Sequence, residues 1–177
     1  MLFIEIIIVV LLGVIVYQDF KSRSFYWIIL PILFGLITIL GIDQGNSLME
    51  FLMNSLANFC ILLFQFIVIT VFYSIKEKQF TNVIDKYLGL GDILLLIAIC
   101  GITNTVNFIL VYTLSLILVL IAVIIHSTYV TKFSNRPKVN TIPLAGGISL
   151  IMIGCFFVKL IYGLDFYNDF LILNMIL

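Results

Sequence analysis

LFIEIIIVVLLGVIVYQDFKSR, residues 2–23, decides the class of this protein. From Leu2 to Gln18 only Glu5 is charged, and the run closes on Asp19, Lys21 and Arg23. A helix rises about 1.5 Å per residue, and about 20 apolar residues cross a hydrocarbon core of about 30 Å. The stretch therefore reads as a first transmembrane helix. It has no basic start and no small-residue cleavage site, so it is expected to be retained rather than removed as a signal peptide.

The same pattern recurs along the chain. Further apolar runs extend from about Phe25 to Leu40, Phe51 to Ser74, Gly91 to Thr103, Thr105 to Ser127 and Ile142 to Tyr162. Of 177 residues 63% are hydrophobic and 10% charged, too little charge to cover a water-facing fold. The expected fold is all-α: one polytopic membrane domain, residues 1–177, with about six transmembrane helices. Residues 163–177 mix apolar and acidic side chains and are expected to form an interfacial or packed tail. The lipid bilayer is thus the first partner. A net charge of zero gives no reason to expect nucleic acid.

Orientation follows from lysine and arginine, which favour cytoplasmic loops. Lys21 and Arg23 follow the first span, Lys76, Lys78 and Lys86 the third, and Lys132, Arg136 and Lys138 the fifth. These loops alternate with acidic ones holding Asp43, Glu50, Asp165 and Asp169. The expectation is a multi-pass protein of the cytoplasmic (inner) membrane with its N-terminus outside. Lys159 stands apart, near the far end of span six, where its side chain could snorkel to the interface.

Two carboxylates occupy span ends. Asp19 closes the first span and Asp92 opens the fourth, in Gly89-Leu90-Gly91-Asp92. The alternation of spans puts both on the same side of the membrane at similar depth. Two nearby carboxylates share a proton, because both cannot ionise cheaply. One can then take a proton from water while the other protonates a carbonyl oxygen, which is peptide hydrolysis without a covalent intermediate. Gly89 and Gly91 would let backbone approach closely. Pro143 suits a helix start, and Gly146 and Gly147 after it offer a small-residue surface or a lining for the cleft. Each acid also has a plainer explanation: a helix cap for Asp92, and a surface ion pair with Lys21 and Arg23 for Asp19. Asn54, Asn58 and Gln65 of span three are candidates for polar contacts between helices. Cys60, Cys100 and Cys155 lie in apolar runs and His126 is the only histidine, so no metal and no other cofactor is expected.

At these residues the chain resembles the type IV prepilin peptidase family, GxGD-type membrane aspartyl proteases that include the preflagellin peptidases. Asp19 followed by Lys21 and Arg23 is similar to the family's first aspartate. Gly89-Leu90-Gly91-Asp92 with the aliphatic run Ile93–Leu96 is similar to the second. Ile142-Pro143-Leu144-Ala145-Gly146-Gly147 resembles the proline-led segment of a late span. Phe25-Tyr26-Trp27 stands where the family often has Ile-Pro-Asn, and Leu94 where a lysine is common. The resemblance implies catalytic Asp19 and Asp92, with Gly89, Gly91, Pro143, Gly146 and Gly147 lining the cleft. The implied substrate is a prepilin-like protein of a type IV pilus or secretion system, with a short basic leader and a hydrophobic N-terminal helix, cut at the cytoplasmic membrane face.

A second class is a small transporter or channel-like protein with Asp19 and Asp92 as ion or proton sites, since intramembrane acids often mark such pathways. A third is a non-enzymatic assembly subunit. Depth separates the first two classes, because transporter sites lie near the midplane.

Overall fold

The structure is a computed structural model and describes residues 2–22, 26–44, 47–78, 89–133 and 144–163, in which every regular element is an α-helix. In chain order these are α1 (Leu2–Ser22), α2 (Ile29–Asp43), α3 (Leu48–Glu77), α4 (Leu90–Ile99), α5 (Thr105–Phe133) and α6 (Leu144–Tyr162). Helices α1, α3, α5 and α6 are long and apolar enough to cross a membrane. The other two are shorter: α2 has 15 residues and α4 has 10. At about 1.5 Å per residue α4 is only about half as long as the hydrocarbon is thick. The protein is therefore a polytopic helical membrane protein whose six helices, among the described residues, include four of full length.

The exposed faces of the described helices carry many large apolar side chains. Phe64, Ile75, Ile125 and Ile161 are all more than half exposed. In water such a surface would drive aggregation, whereas in a bilayer it is the face offered to lipid. Inside, α6 acts as the hub and packs against α1, α4 and α5, while α2 fills the space beside α1, α3 and α4.

Helix α1 runs four residues past the expected end at Gln18, and this extension places its acid. Ile8, Leu12, Ile15 and Asp19 are its buried residues. Their spacing of four, three and four puts them on one face, so the helical period that buries the aliphatic side chains also turns Asp19 inward. Helix α3 starts at a reciprocal cap: Ser47 Oγ accepts from the Glu50 amide at 3.2 Å, and Glu50 Oε2 accepts from the Ser47 amide at 2.8 Å.

Helices α1 and α6 are antiparallel and joined at both ends. At one end Lys159 Nζ meets Glu5 Oε1 at 2.7 Å. At the other, the Gly146 amide donates to Asp19 Oδ2 at 2.6 Å. The Lys159 side chain is only 12% exposed and the Glu5 side chain 16%, so the lysine that stands isolated in the sequence is paired in the fold. The ammonium finds an acid on the neighbouring helix, which gives a partly buried charge its counter-ion.

Two of the three amide side chains expected to link helices do so. Asn58 Nδ2 donates to the carbonyls of Cys100 at 2.7 Å and Thr103 at 3.2 Å, and Tyr112 donates its hydroxyl to Gln65 Oε1 at 2.8 Å. The first contact holds the end of α4 against α3, and the second ties α3 to α5.

Candidate active site

The first four amides of any helix lack an acceptor within that helix. In α6 two of these orphan donors are the consecutive amides of Ala145 and Gly146. Ala145 N donates to Asp92 Oδ1 at 2.8 Å, and Gly146 N donates to Asp19 Oδ2 at 2.6 Å. Residues 53 and 127 positions apart in sequence from their partners are thereby gathered at one point. Adjacent backbone amides are so close that the two bonded carboxylate oxygens lie within roughly 9 Å of each other. Asp19 is also near enough for its charge to act on Asp92.

The site has an internal electrostatic balance. Two neighbouring carboxylates repel when both are charged, but they face the positive end of the α6 dipole and two N–H donors. Asp92 is further held by its own helix start, where Oδ2 accepts from the Gly89 amide at 3.2 Å. It sits on the α4 face that carries the buried Leu95, Leu96 and Ile99. The cap expected as the plain explanation of Asp92 is thus present, and the same carboxylate also reaches α6. Asp19 is 6% exposed and, among the described residues, makes no ion pair with Lys21; Arg23, its other expected partner, lies outside them. Lys21 Nζ instead bonds the Tyr17 hydroxyl at 3.0 Å, on the exposed side of α1.

Glycine is required where α6 passes its neighbours. A Cβ on Gly146 would stand 3.0 Å from both Asp19 Oδ2 and the Phe20 ring, and one on Gly147 would stand 2.5 Å from Val119 Cγ2 on α5. Gly89 is tight against the Asp92 carboxylate, at 3.1 Å. Gly91 lies in the first turn of α4, one residue before Asp92. Pro143 lies outside the described residues.

Gly147→Ala is expected to lower the unfolding midpoint by overpacking, at a cost of about 1–3 kcal/mol. Val119→Ala in the same chain should recover most of it, because the clash is with that side chain alone. Thermal unfolding in detergent measures both. A double variant no better than the single would place the strain elsewhere.

What the sequence did not disclose is the role of Ala145, whose contribution is a backbone amide rather than a side chain, and of Phe20, which walls the approach to Gly146. A signal for the first was nonetheless present: a helix start in Leu144-Ala145-Gly146-Gly147 supplies unpaired amides with no bulk around them.

In comparisons with known proteins, the chain matches no family model, no curated protein and no solved structure.

Proposed function

We propose that the chain is a membrane-embedded aspartyl endopeptidase of the prepilin peptidase kind, with Asp19 and Asp92 as its acid–base pair. One observation carries this reading: neighbouring amides of α6 hold the two carboxylates of α1 and α4 at a single point. Two acids from separate helices, brought together at helix ends, have the arrangement that water activation needs.

In the reaction, one carboxylate removes a proton from a water lying between the pair. The resulting hydroxide attacks the scissile carbonyl carbon, and the other, protonated, aspartic acid gives its proton to the carbonyl oxygen. The newly protonated aspartic acid then passes its proton to the peptide nitrogen, the C–N bond breaks, and the other aspartate takes a proton from a hydroxyl of the tetrahedral intermediate, so the pair again holds a single proton. The amides of Ala145 and Gly146 keep the carboxylates aimed through this cycle without moving protons themselves. Placement near the ends of α1, α4 and α6, rather than at their middles, favours a protease acting at the membrane edge over a transporter site at the midplane.

The substrate is a prepilin-like protein with a short basic leader and a hydrophobic helix, cleaved at the cytoplasmic face. The orientation has the basic ends of α1 and α3 inside and the N-terminus outside, in a cytoplasmic membrane. A cysteine placed at Lys78 in a chain lacking Cys60, Cys100 and Cys155 should be labelled only from the cytoplasm, and one at Ser47 only from outside. The reverse pattern would invert the protein and move the site away from a cytoplasmic leader. Co-expression with prepilin-like substrates, scored for leader removal by N-terminal sequencing, tests the activity itself. A chain that leaves every such substrate intact while folded in the membrane would overturn the proposal.

A further inference from the structure

The turn after α4, residues 100–104, is largely buried: Cys100, Ile102 and Thr103 are at most 2% exposed. Irregular backbone buried in this way persists only where protein or water satisfies its polar groups. Asn58 of α3, itself fully buried, does part of this by donating to the carbonyls of Cys100 and Thr103.

More polar atoms converge there than have partners. Asn58 Oδ1, Ser55 Oγ and Thr103 Oγ1 are buried and have no hydrogen-bond partner among the described residues. Ser55 precedes Asn58 by three residues, so the two share a face of α3. Ser55 Oγ lies 3.1 Å from where a Cβ on Gly101 would stand, which places it against the same turn. A buried water makes about three hydrogen bonds, typically to otherwise unsatisfied groups of this kind.

We propose that Ser55, Asn58 and Thr103 form a hydration site that binds one water molecule at the C-terminal end of α4. The water donates one hydrogen to Asn58 Oδ1 and the other to one hydroxyl oxygen, and accepts from the second hydroxyl. Its chemistry is neutral. A cation would need the Cys100 and Thr103 carbonyls as ligands, and the Asn58 N–H groups already point at both. The bound water completes the anchoring of α4 at the end opposite Asp92, and it does not depend on what the protein catalyses.

The test is thermal unfolding of the full chain in nanodiscs, comparing Ser55→Ala, Thr103→Val and the double variant. Each single substitution should lower the midpoint by about 2–4 °C. The double should lose less than the sum, because both hydroxyls serve one water. An unchanged or raised midpoint in the singles would overturn the site, since removing a hydroxyl that bonds nothing is neutral or favourable. Additive losses would overturn the shared water. Sodium chloride in place of choline chloride at equal ionic strength should leave the midpoint unchanged. A sodium-specific rise that Thr103→Val abolishes would replace the water with a cation and overturn the proposal. In an experimental map that shows other ordered waters, one spherical density within hydrogen-bonding distance of the three oxygens is the direct expectation, and its absence would overturn the site too.

Discussion

Asp19→Asn and Asp92→Asn are each expected to reduce leader removal from a co-expressed prepilin-like substrate by at least about 100-fold, the usual scale of a lost acid or base. Both acids also cap α6, so a substitution must separate chemistry from architecture. Asparagine does so. Its side-chain oxygen still accepts from the Ala145 or Gly146 amide, but the group can neither hold nor release the shared proton. Abundance in the membrane and the unfolding midpoint should therefore stay close to those of the parent. Alanine at the same positions would orphan a buried amide and confuse the two effects. Asp43→Asn at the end of α2 and Asp85→Asn, outside the described residues, are controls that should process normally. Full processing by either Asp19→Asn or Asp92→Asn would end the two-carboxylate mechanism. Loss of activity accompanied by loss of the protein would assign the acids to holding α6 alone.

The other large effect is expected at the opposite end of α1 and α6. Lys159→Met leaves Glu5 partly buried without its cation, and Glu5→Gln does the reverse. Breaking one half of such a pair costs about 3–5 kcal/mol, which for a chain of this size corresponds to a midpoint lower by on the order of 10 °C. Removing both charges together should restore much of the loss, because no uncompensated ion is left behind. Exchanging them, as Glu5→Lys with Lys159→Glu, should restore less. Glu5 lies in the first turn of α1 and Lys159 in the last turn of α6, each on the dipole end that favours its charge, and exchange puts both on the wrong end. Unfolding of the four variants in nanodiscs gives the comparison. Single variants as stable as the parent would show that the contact contributes nothing to holding the helix pair.

Much of the architecture is a direct consequence of hydropathy. Helices α5 and α6 begin within two residues of where their apolar runs begin, since lipid permits backbone to cross only as structure that satisfies its own hydrogen bonds. The shared level of Asp19 and Asp92 was also legible, because an even count of crossings separates them. Less legible was length. Residues 91–103 read as one short span, but the helix stops at Ile99 and the rest forms a buried turn held by Asn58. Hydropathy cannot distinguish an apolar helix from an apolar turn, and the deciding contact comes from a residue 42 positions away.

The sequence by itself determined that this chain lives in a bilayer as a helical bundle, and it singled out Asp19 and Asp92 as acids in places where ionisation is costly. Only the tertiary structure decided what those acids touch. Depth along a helix is fixed by counting residues, but direction around the bundle depends on which helices pack together. The antiparallel pairing of α1 with α6 brings the Gly146 amide to Asp19 and Lys159 to Glu5. The packing of α4 beside α6 brings the neighbouring Ala145 amide to Asp92. Lateral contacts between spans leave almost no trace in the sequence, because any apolar face satisfies lipid and a neighbouring helix nearly equally well.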